Sequence, residues 1–164
     1  MKTLVIGLGN PILSDDSVGL HAVRLVREKL PAGAAEVIEL YAGGIRLIDV
    51  LAGRDRVILV DAMITGTRRP GEWVSFRLTG GKAAWMPATR NSSSTHDMSL
   101  PEALELGSTL GMKMPSEVWI WGVEAYDVET FSEKPTERVA RSIEAVAQEV
   151  ADFAAGGIPV GGIL

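Results

Sequence analysis

The segment from Thr3 to Gly19 constrains the fold more than any other part of this chain. An apolar run, Thr3-Leu4-Val5-Ile6, leads into Gly7-Leu8-Gly9-Asn10-Pro11, and Asp15 and Asp16 then stand just ahead of an amphipathic run beginning at Val18. A strand, a glycine turn and a helix start are packed into that short span. In an open α/β sheet, chemistry gathers outside the carboxyl ends of the strands, so the loop with the two acids is a candidate site.

Downstream segments repeat the alternation of strand and helix. From Val18 the residues Ala22, Val23, Leu25, Val26 and Leu30 follow helical spacing, with Asp15 or Asp16 as the expected cap and Pro31-Ala32-Gly33 as the stop. Glu36–Leu40 reads as a second strand and Ile45–Leu51 as a short helix closed by Gly53. Arg56–Ala62 is the clearest strand, an apolar run ending in the acid Asp61. Trp73–Leu78 alternates like a strand with one wetter face.

Gly80 to Met98 has no periodicity and holds the polar tract Asn91–Thr95. A loop of that length in a compact domain is usually functional or disordered. Ser99-Leu100-Pro101-Glu102 then forms a capping-box pattern that predicts a helix running towards Gly111. Val118–Val123 is a further strand, and Glu133–Ala155 is expected to hold the last long helix. Residues 1–155 thus make a single α/β domain, a three-layer α/β/α sandwich around a mostly parallel twisted sheet, and the glycine-rich tail 156–164 is expected to fray.

Composition narrows the function. The 164 residues suit one domain with a real core, and 46% hydrophobic against 5% aromatic residues describes a Val/Leu/Ile/Ala interior. A net charge of −5 argues against a nucleic-acid partner. The cationic pairs Arg54/Arg56 and Arg68/Arg69 read as solvated loop edges. Cysteine is absent, which removes disulfides, thiolate metal sites and cysteine nucleophiles, and fits a reducing compartment. The chain opens into its first strand without a charged leader, and no apolar run approaches the roughly 20 residues of a membrane span, so a cytoplasmic protein with no membrane partner is expected.

Three polar residues fall where the fold predicts a site: Asp16 after the first strand, Asp61 at the end of the third, and His96 just before the capped helix. Two carboxylates and an imidazole suit a borderline divalent metal such as zinc or nickel, and the same trio serves as acid and base without one. Each also has an ordinary structural reading, as a helix cap, a turn acceptor and a loop histidine. Glu39, ending the second strand, is a further candidate ligand. His21 reads as a partly exposed helix residue, Met86, Met98, Met112 and Met114 as gap fillers, and Trp119 and Trp121 as packing. Ile12 stands where a dinucleotide-binding turn needs its third glycine, and there is no Walker A loop, His-Glu-x-x-His or Gly-x-Ser-x-Gly.

Taken together, the motifs resemble the endopeptidases that mature the large subunit of nickel-iron hydrogenases. The matching residues are Gly7, Gly9, Asn10, Asp15, Asp16 and Gly19, then Gly43-Gly44-Ile45-x-Leu47, Val60-Asp61-Ala62, Ser94–Pro101 and Val123–Val128. The resemblance implies a phosphorylase/hydrolase-like sandwich and a monomeric protease. It would remove a C-terminal extension from the large-subunit precursor after nickel insertion. It also implies that Asp16, Asp61 and His96 contact the metal, which is carried by the substrate, with no organic cofactor. Some members have glutamate where Asp16 stands. Members often have an aspartate followed by glycines where this chain has Glu39-Leu40-Tyr41, and glycine where it has Ser17. Two other readings stand beside it: a non-catalytic module that binds the nickel-loaded large subunit, and a peptidyl-tRNA hydrolase, which shares Gly-Leu-Gly-Asn-Pro but not the acids that follow.

Overall fold

The computed structural model describes residues 1–41, 44–79 and 98–159. Gly43, Met86, the tract 91–95, His96 and residues 160–164 of the tail lie outside the described residues.

Five strands form one sheet: β1 (Thr3–Leu8), β2 (Glu36–Leu40), β3 (Arg56–Met63), β4 (Trp73–Arg77) and β5 (Glu117–Glu124), in the order β2-β1-β3-β5-β4. The pairings β1–β2, β1–β3 and β3–β5 are parallel, and β4 joins β5 antiparallel at the edge. All eight residues of β3 are buried, as a central strand covered on both faces requires.

Successive side chains of a strand point to opposite faces, and two cores follow from that period. Helix α1 (Val18–Lys29) and helix α5 (Ile143–Ala154) pack on one face, where Val23, Val26, Ile58, Val60, Trp121 and Val150 meet. Helix α2 (Ile45–Leu51) and helix α3 (Leu100–Thr109) cover the other, over Leu4, Ile6, Val57 and Leu59. The result is the expected three-layer α/β/α arrangement. Met98, Met112 and Met114 pack partly buried against the second core, as gap fillers should. Trp119 and Trp121 both contact the Phe153 ring.

Three expectations need correction. The last helical segment is broken into α4 (Glu137–Ala140) and α5. Its start is delayed because Ser132 and Lys134 form a side-chain turn, and it is interrupted where Ser142 turns both its amide and its hydroxyl onto the Val139 carbonyl. Neither Asp15 nor Asp16 caps α1. The chain enters that helix through a 3₁₀ turn, Ser14–Ser17, and both carboxylates point elsewhere. Arg56 is no solvated edge: it is 7% exposed, lies over the Phe153 ring and donates to Thr3 Oγ1 and the Ala154 carbonyl. The capping box at Ser99 and Glu102 is present in both directions. Among the described residues no helix is long and apolar enough to cross a membrane.

Candidate active site

Parallel pairing of β1 with β3 places Gly7 beside Val60, so the loop leaving β1 and the end of β3 open on one edge of the sheet. Glycine lets that loop fold back. A Cβ on Gly9 would lie 2.1 Å from the Asp16 carbonyl oxygen, and one on Gly19 would lie 2.3 Å from the Val60 carbonyl oxygen. A side chain at Gly9 would push the 3₁₀ turn away from the loop after β1, and one at Gly19 would push the start of α1 off β3. The Gly-x-Gly and the later glycine of the motif therefore set the depth at which Asp16 is buried.

Asp16 is 2% exposed and Asp61 7%. Asp16 Oδ2 accepts the Asn10 N–H at 2.9 Å, whereas Asp16 Oδ1 is buried with no hydrogen-bond partner among the described residues. Asp61 Oδ1 accepts the N–H of Ala62 at 2.8 Å. Burial pushes the Asp16 carboxyl up to about 6, opposed by the Asn10 N–H. Asp61 is driven well above the ordinary carboxylate range, first by burial and then by the negative charge of Asp16, with the Ala62 N–H acting against both. The two acids thus feel each other's charge, and among the described residues neither forms an ion pair. Two buried carboxylates with one orphaned oxygen are costly to a protein that has no use for them.

Glu39 reaches the same sheet edge but is already occupied. Its oxygens accept from Arg24 Nε and Nη2 at 3.1 and 2.8 Å and from the Tyr41 hydroxyl at 3.3 Å, and Arg27 stands at 3.9 Å. The Arg24 hydrogen bonds hold its carboxyl below the usual range. His21 lies partly exposed on α1 with Nε2 3.0 Å from the Glu133 carbonyl oxygen. No cluster of three or more metal-binding side chains is complete among the described residues, which do not include His96.

Two further acids organise the edge. Asp15 is fully buried, and its carboxylate accepts the N–H groups of Tyr126, Asp127 and Thr136 and the Thr136 hydroxyl at 2.6–3.0 Å. Glu124, the last residue of β5, accepts the N–H groups of Thr65 and Gly66 and the Thr65 hydroxyl. It follows an apolar run late in a strand, as Asp61 does two residues before the end of β3, and that shared pattern is the sequence signal for it. Asp15 gave no such signal, because its donors lie more than a hundred residues away in the chain.

An α/β sandwich with two buried, mutually repelling carboxylates at the carboxyl edge of its parallel strands is an arrangement suited to hydrolysis or to meeting a cation. The family model for hydrogenase maturation proteases matches residues 20–153, and the chain belongs to that family. It is accordingly a hydrolase of the endopeptidase type that acts in hydrogenase maturation. The matched span contains Asp61 and His96 and begins just after Asp16.

The hydrogenase 2 maturation protease of Escherichia coli K12 is 27% identical over 125 residues, covering 75% of this chain and 73% of that one. The solution structure of an endopeptidase from E. coli is similar with a TM-score of 0.76 and 26% identity, covering 97% of this chain and 98% of that one. The E. coli hydrogenase maturating endopeptidase HybD shares the fold with a TM-score of 0.73 at 24% identity, over 95% and 94% of the two chains. The family match leaves no place for the peptidyl-tRNA hydrolase reading.

Proposed function

We propose that this chain removes the C-terminal extension of a nickel-iron hydrogenase large-subunit precursor once nickel has been inserted, with the substrate-borne nickel contacted by Asp16, Asp61 and His96. The observation that carries this reading is the orphaned, buried Asp16 Oδ1 beside the buried Asp61. Oxygen and imidazole donors suit a borderline divalent ion, and a cation brought in on the substrate would satisfy the free oxygen and offset the repulsion between the acids. That ion supplies Lewis acidity to the scissile carbonyl or to water.

The chain's own contribution is to hold the carboxylates at fixed depth. With its carboxyl near 6 before the substrate arrives, Asp16 is mostly ionised at neutral pH and ready to meet the cation. We place the reaction in the cytoplasm, carried out by a monomer, with neither nucleic acid nor membrane as a partner; the acidic charge speaks against a nucleic-acid partner and the lack of cysteine fits a reducing compartment.

Intact mass spectrometry of a cognate precursor, nickel-loaded or nickel-free, with and without this protein, tests the proposal. Loss of a C-terminal peptide from the loaded precursor alone is the expected outcome. A stable complex with unchanged mass would replace the enzyme by a binding module.

A further inference from the structure

Large hydrophobic side chains that stay exposed are not spread evenly over the described surface. Ile12, Tyr41, Ile45, Ile64, Tyr126 and Phe131 all lie at the carboxyl edge of the sheet, while Met1, Leu110 and Ile158 lie towards the amino edge. Within the first set, Ile12, Tyr126 and Phe131 sit on two loops that are fastened together. Ser132 N donates to the Ile12 carbonyl at 2.9 Å and Ser14 N to the Ser132 carbonyl at 2.8 Å, with Leu13 and Ser132 forming a parallel bridge. The buried Asp15 closes the same junction from inside through the N–H groups of Tyr126 and Asp127. Its neighbour in sequence is Asp16.

We propose that Ile12, Tyr126 and Phe131 form the surface on which the hydrogenase large-subunit precursor docks, held in register with Asp16 by the Asp15 carboxylate. This rests on the proteolytic function proposed above and names where the folded part of the substrate is gripped. Tyr126 is 77% exposed and Phe131 81%, the kind of aromatic anchors that dominate protein interfaces. Their loop is ordered before any partner arrives: Asp127 Oδ1 accepts the N–H groups of Glu129 and Thr130, and Ser132 Oγ accepts that of Lys134. A pre-ordered loop spares the complex the entropy of fixing it.

Continuity with the carboxylate site identifies the occupant, since the loop carrying Tyr126 is hydrogen-bonded to Asp15, the sequence neighbour of Asp16. Charge decides against a second copy of the chain. Asp127, Glu129 and Glu133 share the segment of Tyr126 and Phe131 with a single cation, Lys134, on a molecule of net charge −5, so an isologous pairing would set like charges together. The precursor is expected to present an apolar face with a basic rim.

Single-turnover and steady-state processing of the nickel-loaded precursor, followed by intact mass, tests the assignment with two double variants. Tyr126→Ser with Phe131→Ser should raise KM at least about tenfold while kcat changes less than about twofold. Leu110→Ser with Ile158→Ser, equally apolar but on the opposite edge, should process like the wild type. Unchanged KM in the first variant would overturn the docking surface and leave the protease standing. An inert wild-type protein would instead overturn the proteolytic function and the surface with it. A wild-type dimer that the first variant dissociates, seen by sedimentation, would assign the patch to a second copy and also overturn the proposal.

Discussion

Asp16 and Asp61 are kept at a cost to the folded state. Each has a folded-state pKa above its unfolded value, so the unfolded chain releases its protons first as pH rises. Below about pH 4 both states are protonated and the acids cost little. Stability then falls as pH climbs from about 4 through about 6, where Asp16 ionises in the fold, and the raised carboxyl of Asp61 adds to the fall in the same direction. Asp16→Asn should therefore stabilise the metal-free protein at neutral pH by about 1–3 kcal/mol and flatten its decline above pH 5, and Asp61→Asn should shift stability in the same direction. Thermal melting across that range reads the effect. Variants that melt at or below the wild-type temperature would show that these carboxylates serve the fold.

Among the elements, the two loops at the carboxyl edge behave as one unit because Asp15 joins them. Asp15→Ala would strand three part-buried N–H groups and the Thr136 hydroxyl without this acceptor. A loss of about 2–5 kcal/mol in urea or thermal unfolding is expected, and a change below about 0.5 kcal/mol would contradict the staple. This contact also marks the limit of what sequence reveals. The strands were legible because an apolar run bounded by glycine or by acids needs no distant information. The capping box before α3 was legible for the same reason, its two residues being neighbours.

The adjacent acids Asp15 and Asp16 looked like helix caps because only local partners are visible in a sequence, and the structure gives Asp15 partners on a loop more than a hundred residues later. Arg56 was misread on the same ground, its acceptors being Thr3 and Ala154. The break at Ser142 was hidden because the apolar spacing continues across it. Of the proposed site, Asp16 and Asp61 were legible as acids at strand ends, and the structure adds that they interact. Glu39 looked equivalent by position, and only the fold shows Arg24 already on it.

For the molecule as a whole, the parallel topology delivers the two acids, the docking loop and the start of α3 to a single edge, leaving the opposite edge to strand starts and helix ends. Such a division lets one face carry function while the two cores carry stability. The most direct experiment is the intact mass of nickel-loaded precursor after incubation with Asp16→Asn, Asp61→Asn or His96→Ala. The precursor should keep its C-terminal extension with all three variants while the wild type removes it. Removal at the wild-type rate by all three would contradict the assignment of this site.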